Sequence, residues 1–193
     1  MPNAAIHFDS LYRANPDPWD YQTSAYEARK YDATLGALTR PRYPSALEAG
    51  CSIGVLSARL AARCDRLVAV DFSARAVARA ADRLAPFSGA AAMRATLPQD
   101  WPVGSYDLIM LSEMIYYLSS QDIVTLAARV ARDALPGAEC VLVHWQGNTQ
   151  TEIRPDAARH LFCQSLAALR EFVITDHPTT GEYNHRTLLF AQA

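Results

Sequence analysis

Short apolar segments with the character of β-strands alternate with helix-length amphipathic segments through the middle of this 193-residue chain. The strand segments are 45–49, 67–70, 90–95, 106–111 and 138–144, and the helical segments are 55–63, 74–84 and 121–135. Strands that alternate with helices of this length form βαβ units, which predicts an α/β fold with a mostly parallel sheet and helices on both faces. A chain of this length has room for one such fold, so we expect a single domain over residues 1–193.

Both ends of the chain depart from this alternation. Residues 4–38 carry two helical patterns, separated by the 15–18 segment, whose two prolines cannot lie inside one helix. Ser24, with Glu27 three residues later, has the spacing of a capping box and predicts the start of the second helix. After a helical segment at 157–169, the strand segments 172–174 and 187–190 are joined by a connection too short for a parallel crossover, which predicts one antiparallel strand near the C-terminus.

Composition excludes several classes of partner. The 18 basic and 20 acidic groups give a formal charge of −2, so no overall basic field attracts nucleic acid or an anionic membrane. No apolar run approaches the ~20 residues that span a bilayer, and the first residues turn polar too early for a signal peptide. The four cysteines are far apart and lie among apolar residues, which favours buried free thiols in a reducing compartment. We therefore expect a cytoplasmic protein with neither a nucleic-acid nor a membrane partner.

A glycine-containing turn at residues 48–54 lies between the first strand and its helix, where ligands approach the backbone closely. A dinucleotide fingerprint would require glycine where Ser52 and Val55 stand. The same turn also matches G-x-S-x-G, the nucleophile elbow of serine hydrolases, with Asp107 and His144 following in the required order. This elbow normally follows several strands, whereas here it follows the first, so the hydrolase is the less favoured alternative.

A third interpretation fits the residues downstream. Gly50 and Gly54 have the spacing of the E-x-G-x-x-x-G turn, and Asp71 ends the second strand about twenty residues later, where a carboxylate can accept both hydroxyls of a ribose. The chain therefore resembles the class I S-adenosylmethionine-dependent methyltransferases. Within them it resembles the nodulation protein S family, on the strength of Asp17-Pro18-Trp19, Tyr26-Glu27 with Lys30, the 46–51 segment, the 106–109 segment and above all the 112–118 segment.

This resemblance implies a single Rossmann-like methyltransferase domain, with residues 1–40 as a helical cover over the cofactor and residues 41–193 as the core. It implies S-adenosylmethionine as cofactor, S-adenosylhomocysteine as product, and transfer to a small-molecule acceptor. The acceptor is expected to be an amine, such as that of an amino sugar or oligosaccharide, because the family N-methylates a glucosamine of a chitooligosaccharide. The candidate cofactor-binding residues are Trp19, Lys30, Glu48, Gly50, Cys51, Ser52, Gly54, Asp71, Phe72, Thr96, Leu97 and Ser112.

Within that set, Glu48 is expected to meet the methionine ammonium directly or through water, and Lys30, the only lysine of the chain, to meet the methionine carboxylate. Trp19 belongs to the cover and Phe72 to the wall of the adenine site. Many related enzymes have an aspartate after the third strand, whereas this chain has Ala95 and Thr96, which leaves the Thr96 hydroxyl or backbone groups for the adenine.

An amine acceptor is protonated at neutral pH, so a carboxylate or histidine must take its proton before methyl transfer. Glu113 and His144, at the ends of neighbouring strands, are the candidate catalytic residues. Tyr116, Tyr117 and Trp145 are candidate substrate-binding residues because their rings can face a cation or a sugar. The alternative from another class is a non-catalytic protein that binds S-adenosylmethionine as a sensor.

No metal is expected. The remaining histidines His7, His160, His177 and His185 have no metal-ligand spacing among themselves or with the cysteines. The oligomeric state is left open.

Overall fold

Seven strands form one sheet that is flanked by six α-helices in the part of the chain described by the computed structural model, residues 2–149, 151–179 and 181–192, with side chains from residue 8 onward. The helices are α1 (Pro2–Ala14), α2 (Ala25–Gly36), α3 (Val55–Ala61), α4 (Ala74–Leu84), α5 (Ser120–Asp133) and α6 (Pro155–Ala167). The strands are β1 (Tyr43–Ala49), β2 (Cys64–Asp71), β3 (Ala90–Arg94), β4 (Tyr106–Ser112), β5 (Ala134–Trp145), β6 (Phe172–His177) and β7 (Tyr183–Phe190).

The strand order, β3-β2-β1-β4-β5-β7-β6, reverses direction between β1 and β4. β1 pairs in parallel with β2 on one side and with β4 on the other, so that Ala49 lies beside both Val70 and Leu111. In an open parallel sheet the helices on either side of such a reversal leave a crevice at the carboxyl ends of the strands, where ligands bind. The turns that follow β1, β2 and β4 therefore meet at one edge.

Two apolar layers cover the faces of the sheet. One packs α5 and α6 on the sheet, with Ile123 and Phe162 fully buried, and the other packs α3 and α4, with Leu60 and Leu84 buried. Each such side chain contributes about 1.5–3 kcal/mol relative to an exposed one. The burial pattern of β1, β4 and β5, apolar on both faces, is typical of central strands in a parallel sheet.

The C-terminal strands confirm the prediction of one antiparallel strand. β7 lies between β5 and β6 and is antiparallel to both, so β6 runs parallel to the rest of the sheet. β5 begins at Ala134, earlier than the predicted 138, because its register against β4 shifts between Tyr106 and Leu108 and the irregularity takes up Pro136 and Gly137. All four cysteines are buried free thiols, as predicted.

Ser24 caps α2, but only half of the capping box forms. Its hydroxyl accepts a hydrogen bond from the Glu27 amide at 3.2 Å, as the spacing predicts. The Ser24 amide instead donates to the Asp20 carbonyl, and the Glu27 side chain turns toward Lys30. The Glu27 carboxyl is thus directed inward.

Replacing Gly54 by alanine is expected to lower the free energy of unfolding by about 2–3 kcal/mol. Gly54 has a φ of +78°, and a Cβ there would lie 2.9 Å from the Cα of Ala80 on α4, so both backbone strain and a backbone clash result. Urea denaturation measures the change. The control is Gly36→Ala, where a Cβ meets nothing within 4 Å, and equal stabilities of the two variants would contradict the prediction.

Candidate functional site

A cavity of about 990 Å³ opens where the turns after β1, β2 and β4 meet. Gly50, Asp71 and Glu113 line it from the sheet edge, and Tyr12 and Lys30 line it from α1 and α2. The two N-terminal helices therefore form one wall of a space whose other wall is the strand ends. Polar groups from distant parts of the sequence therefore line one shared cavity.

Asp71 ends β2 with its carboxylate held by two backbone amides. Its Oδ1 accepts from the Ser73 amide at 2.9 Å, and its Oδ2 accepts from the Ser52 amide at 3.0 Å. Burial raises the pKa of Asp71, and these amide hydrogen bonds oppose that shift. Each oxygen keeps a lone pair, so the carboxylate can accept further hydrogen bonds from a ligand diol.

The glycine turn is shaped by close packing. Gly50 has a φ of +77°, and a Cβ there would lie 2.9 Å from the Cβ of Met114. The amides of Gly50 and Cys51 both donate to the Val70 carbonyl, and the Ser52 amide donates to Asp71. The backbone amides at these three positions are therefore used in hydrogen bonds inside the protein.

Glu48 lies behind this turn, almost fully buried. Burial, together with the charge of Asp71, raises the pKa of Glu48 to about 8. Its Oε2 has no hydrogen-bond partner among the described residues. Glu48 lines a second cavity of about 30 Å³, which is large enough for one water molecule and which also touches Gly50 and Glu113.

Glu113 directly follows β4 and is held by three donors. Its φ of +56° turns the side chain back toward the cavity. Oε1 accepts from the Lys30 ammonium at 2.8 Å, and Oε2 accepts from the Tyr116 hydroxyl and the Trp145 amide, each at 2.8 Å. Both carboxylate oxygens are therefore engaged.

Lys30 is buried, with 3% of its side chain exposed, and does not lie on a solvated helix face. Its ammonium donates to Glu27 Oε1 at 2.9 Å as well as to Glu113. Burial by itself lowers the pKa of Lys30, but the charges of Glu113 and Glu27 outweigh it and raise that pKa above its ordinary value. The ammonium is therefore charged, and it is shared between two carboxyl groups.

Aromatic side chains cover the cavity. Phe8 on α1 packs edge-on against Phe72 and Tyr117, with ring centroids 5.4 and 4.9 Å away. Trp19 packs on Phe8 and on Tyr12, and the Tyr12 hydroxyl bonds the Ser52 hydroxyl at 2.6 Å. Phe8 and Tyr12 were not among the predicted site residues, although their i, i+4 spacing places both on one face of α1.

The chain matches the model of the nodulation protein S (NodS) family over residues 10–146, about seven-tenths of its length. It belongs to the NodS family. The nodulation protein S of Bradyrhizobium diazoefficiens is 33% identical over 115 residues, which are 59% of this chain and 54% of that protein, and the relative from Sinorhizobium fredii is 31% identical. The chain thus spans about half the length of these curated NodS relatives.

Solved structures agree with the NodS assignment. A protein of Pseudomonas syringae provisionally assigned as a methyltransferase is 33% identical with a TM-score of 0.73, over 86% of this chain and 99% of the other. The N-methyltransferase NodS of Bradyrhizobium japonicum WM9, solved with S-adenosyl-L-homocysteine, is 22% identical with a TM-score of 0.77, over 95% and 97%. The predicted family and the Rossmann-like class I methyltransferase fold are confirmed.

The cavities of this NodS-family chain gather most of the residues predicted for the site. The large cavity is lined by Trp19, Lys30, Gly50, Ser52, Asp71, Phe72, Thr96, Leu97, Glu113, Tyr116, Tyr117 and Trp145. The small cavity is lined by Glu48, Cys51 and Ser112, and again by Gly50, Ser52 and Glu113. Gly54 and His144 line neither, and Gly54 instead allows α3 to approach α4.

His144, a predicted catalytic residue, lies apart from both cavities. It is fully buried in β5, and neither ring nitrogen has a hydrogen-bond partner among the residues described. Burial, with the charge of Arg159, lowers the pKa of His144 to about 3, so the ring is neutral and weakly basic. Alternate residues of a strand face opposite sides of the sheet, and its position along β5 directs His144 into the core.

His144 is therefore expected to make the fold sensitive to acid. Its folded pKa lies below the unfolded value of 6.5, so the unfolded chain binds the proton first and stability falls as the pH drops from about 6.5 toward 3. The slope attributable to His144 is up to about 1.4 kcal/mol per pH unit. Urea denaturation at several pH values should show a shallower loss in His144→Leu than in wild type, whereas the exposed control His160→Leu should keep the wild-type slope.

The hydrolase alternative finds no support in the site. The Ser52 hydroxyl bonds Tyr12, and His144 lies outside both cavities. Asp107 pairs with Arg40 and accepts from the Ser45 amide, near the opposite ends of β1 and β4. The three members of the proposed triad therefore do not meet.

Two further features are absent from the described residues. They contain no group of three or more His, Cys, Asp or Glu that could hold a metal ion, and the side chain of His7 lies outside them. No helix among them is long and apolar enough to cross a membrane.

Proposed function

We propose that this protein transfers a methyl group from S-adenosylmethionine to the amine of a small-molecule acceptor. The observation that carries the proposal is the opening of a strand-end aspartate, Asp71, onto the same cavity as Glu113 and the aromatic rings around it. Direct transfer between two ligands requires that the donor site and the acceptor site share one cavity. Membership of the NodS family supports the same reaction class.

The described residues fit this cofactor. Asp71 offers a fixed carboxylate for ribose hydroxyls, with Phe72 and Leu97 as apolar walls for adenine and Thr96 as a polar neighbour. Glu48 has a buried oxygen without a partner in the described chain, at a cavity of water size, which suits an ammonium reached through water. When bound, S-adenosylmethionine supplies an electrophilic methyl group on a sulfonium.

The ion pairs of Lys30 support a role different from the predicted contact with the methionine carboxylate. Its ammonium already donates to Glu27 and Glu113 in buried ion pairs, which leaves one of its three N–H groups for a ligand. We propose that Lys30 fixes Glu113 and with it the wall formed by Tyr116 and Trp145. The trio of Lys30, Glu27 and Glu113 thereby couples α2 to the turn after β4.

On the acceptor side, acidic and aromatic groups favour a cationic ligand. Tyr116, Tyr117 and Trp145 offer ring faces beside the carboxyl of Glu113, a setting that suits an ammonium or an amino sugar. The relative from Bradyrhizobium japonicum WM9 is described as an N-methyltransferase, which supports nitrogen as the methylated atom. A cytoplasmic location and the lack of a nucleic-acid partner stay predictions from composition.

Two measurements test this function. Isothermal calorimetry with S-adenosylhomocysteine should show saturable binding to the wild-type protein, and the absence of binding would contradict the proposal. Transfer from methyl-labelled S-adenosylmethionine should then be detectable on glucosamine oligomers and absent from their N-acetylated counterparts. Binding without transfer to any amine would instead favour the sensor alternative, and labelling of Ser52 by a serine-directed phosphonate would favour the hydrolase.

A further inference from the structure

Three charged side chains meet at the α2 side of the large cavity. Lys30 Nζ lies 2.9 Å from Glu27 Oε1 and 2.8 Å from Glu113 Oε1, and all three residues line the cavity. One ammonium thus faces two carboxyl groups, and the formal charge of the trio is −1. Only 3% of the Lys30 side chain and 10% of the Glu27 side chain are exposed, so solvent does little to screen that charge.

The two carboxyl groups differ in how their second oxygens are used. Glu113 Oε2 accepts from the Tyr116 hydroxyl and from the Trp145 amide. Glu27 Oε2 is buried and, although Tyr31 approaches this carboxyl, the oxygen has no hydrogen-bond partner among the described residues. A buried carboxylate oxygen without a donor costs free energy that a ligand can recover by supplying one.

Tyr26, the residue before Glu27, also has a polar atom without a partner among the described residues. The Tyr26 hydroxyl is also buried without a partner in the described part of the chain, and Tyr26 lines the same cavity. Its ring lies under the Lys30 ammonium, 5.3 Å from ring centroid to Nζ. Two consecutive residues of the cavity wall therefore carry buried polar atoms without partners among the described residues, and one of these atoms belongs to an acidic group.

We propose that Glu27 binds the protonated amine of the methyl acceptor and takes its proton. In this step an N–H bond of the ammonium breaks, an O–H bond forms on Glu27 Oε2, and the nitrogen keeps the electron pair with which it attacks the methyl group. This inference rests on the proposed function and adds to it the residue that takes the proton of the acceptor. Glu113, with both oxygens engaged, is then a positioning residue.

This assignment explains why Lys30 lies between two carboxyl groups. Glu113 alone would neutralise the Lys30 ammonium. The additional carboxylate of Glu27 gives the trio its formal charge of −1. An acceptor ammonium supplies the balancing positive charge, whereas a neutral or anionic acceptor does not. The same charge balance excludes N-acetylated sugars from this position, since an amide nitrogen carries no charge and its N–H is too weak an acid to give a proton to a carboxylate.

The test compares wild type, Glu27→Gln and the exposed control Glu171→Gln. Glu27→Gln should keep its affinity for S-adenosylhomocysteine within about twofold, yet lose about 100-fold in kcat/KM on short glucosamine oligomers. Its thermal midpoint should equal or exceed that of wild type, because Lys30 retains Glu113 and the unbalanced buried charge is gone. Glu171→Gln should match wild type in all three measurements.

Other outcomes overturn the inference in distinguishable ways. Unchanged kcat/KM in Glu27→Gln, with or without a lower thermal midpoint, would make Glu27 a structural partner of Lys30. A wild-type protein that binds S-adenosylhomocysteine but methylates no amine would overturn the proposed function itself. If Glu27→Gln does not fold, Glu27→Asp decides, since a carboxylate shortened by one methylene should raise KM for the amine, and an unchanged KM would overturn the inference.

Discussion

Replacing Lys30 by methionine is expected to lower the free energy of unfolding by about 3–5 kcal/mol. Methionine fills a similar volume but leaves Glu27 and Glu113 facing each other without a cation in a buried setting. The loss of both ion pairs and the repulsion between the two carboxylates act in the same direction. This substitution therefore disturbs the described fold more than the loss of one surface lysine would suggest.

Urea denaturation at neutral pH measures this change, and Arg29→Met, an exposed neighbour on the same helix, is the matched control. Arg29→Met should lie within about 0.5 kcal/mol of wild type. Adding Glu113→Gln to Lys30→Met should restore part of the lost free energy of unfolding, because one of the two unpaired carboxylates is removed. Equal stability of Lys30→Met and Arg29→Met would show that the ion pairs contribute nothing.

Replacing Asp71 by alanine is expected to weaken binding of S-adenosylhomocysteine by about 100-fold or more. Two hydrogen bonds from ribose hydroxyls to an ionised carboxylate are together equivalent to about 3 kcal/mol or more. The two amide donors that fix Asp71, from Ser52 and Ser73, also lose their acceptor, so the turn loses its preorganised shape.

Calorimetric titration of wild type and Asp71→Ala gives the ratio of dissociation constants directly. Asp65→Ala is the control, because Asp65 lies on the same strand but forms an exposed ion pair with Arg42. Thermal melting should confirm that both variants are folded before the titrations are compared. Binding by Asp71→Ala as tight as by wild type would remove Asp71 from the donor site.

The fold and the sheet-edge residues were predictable because they depend on local patterns. Apolar runs that end at Asp71 and at Ser112 define strand ends, and parallel strands bring such ends to one edge. The antiparallel strand near the C-terminus follows from the short connection that precedes it. No step in that inference requires knowledge of a side-chain contact.

The contacts of the site were not predictable in the same way. Lys30 and Glu113 are 83 residues apart, and nothing in the spacing of either residue indicates the other. His144 was placed at a strand end, but which face of the strand it takes depends on a register that the sequence leaves undetermined. Glu27 was interpreted through its distance from Ser24, whereas a buried ammonium competes more strongly for its carboxylate than a helix amide does.

The burial of the only lysine has a practical chemical consequence. Amine-reactive reagents modify exposed ammonium groups, so in the folded protein they should not reach Lys30, whose side chain is 3% exposed. Any state in which α2 moves away from the strand ends would expose a single, unambiguous labelling site. The rate at which Lys30 becomes acylated therefore measures how often α2 moves away from the strand ends, and no other lysine contributes to the signal.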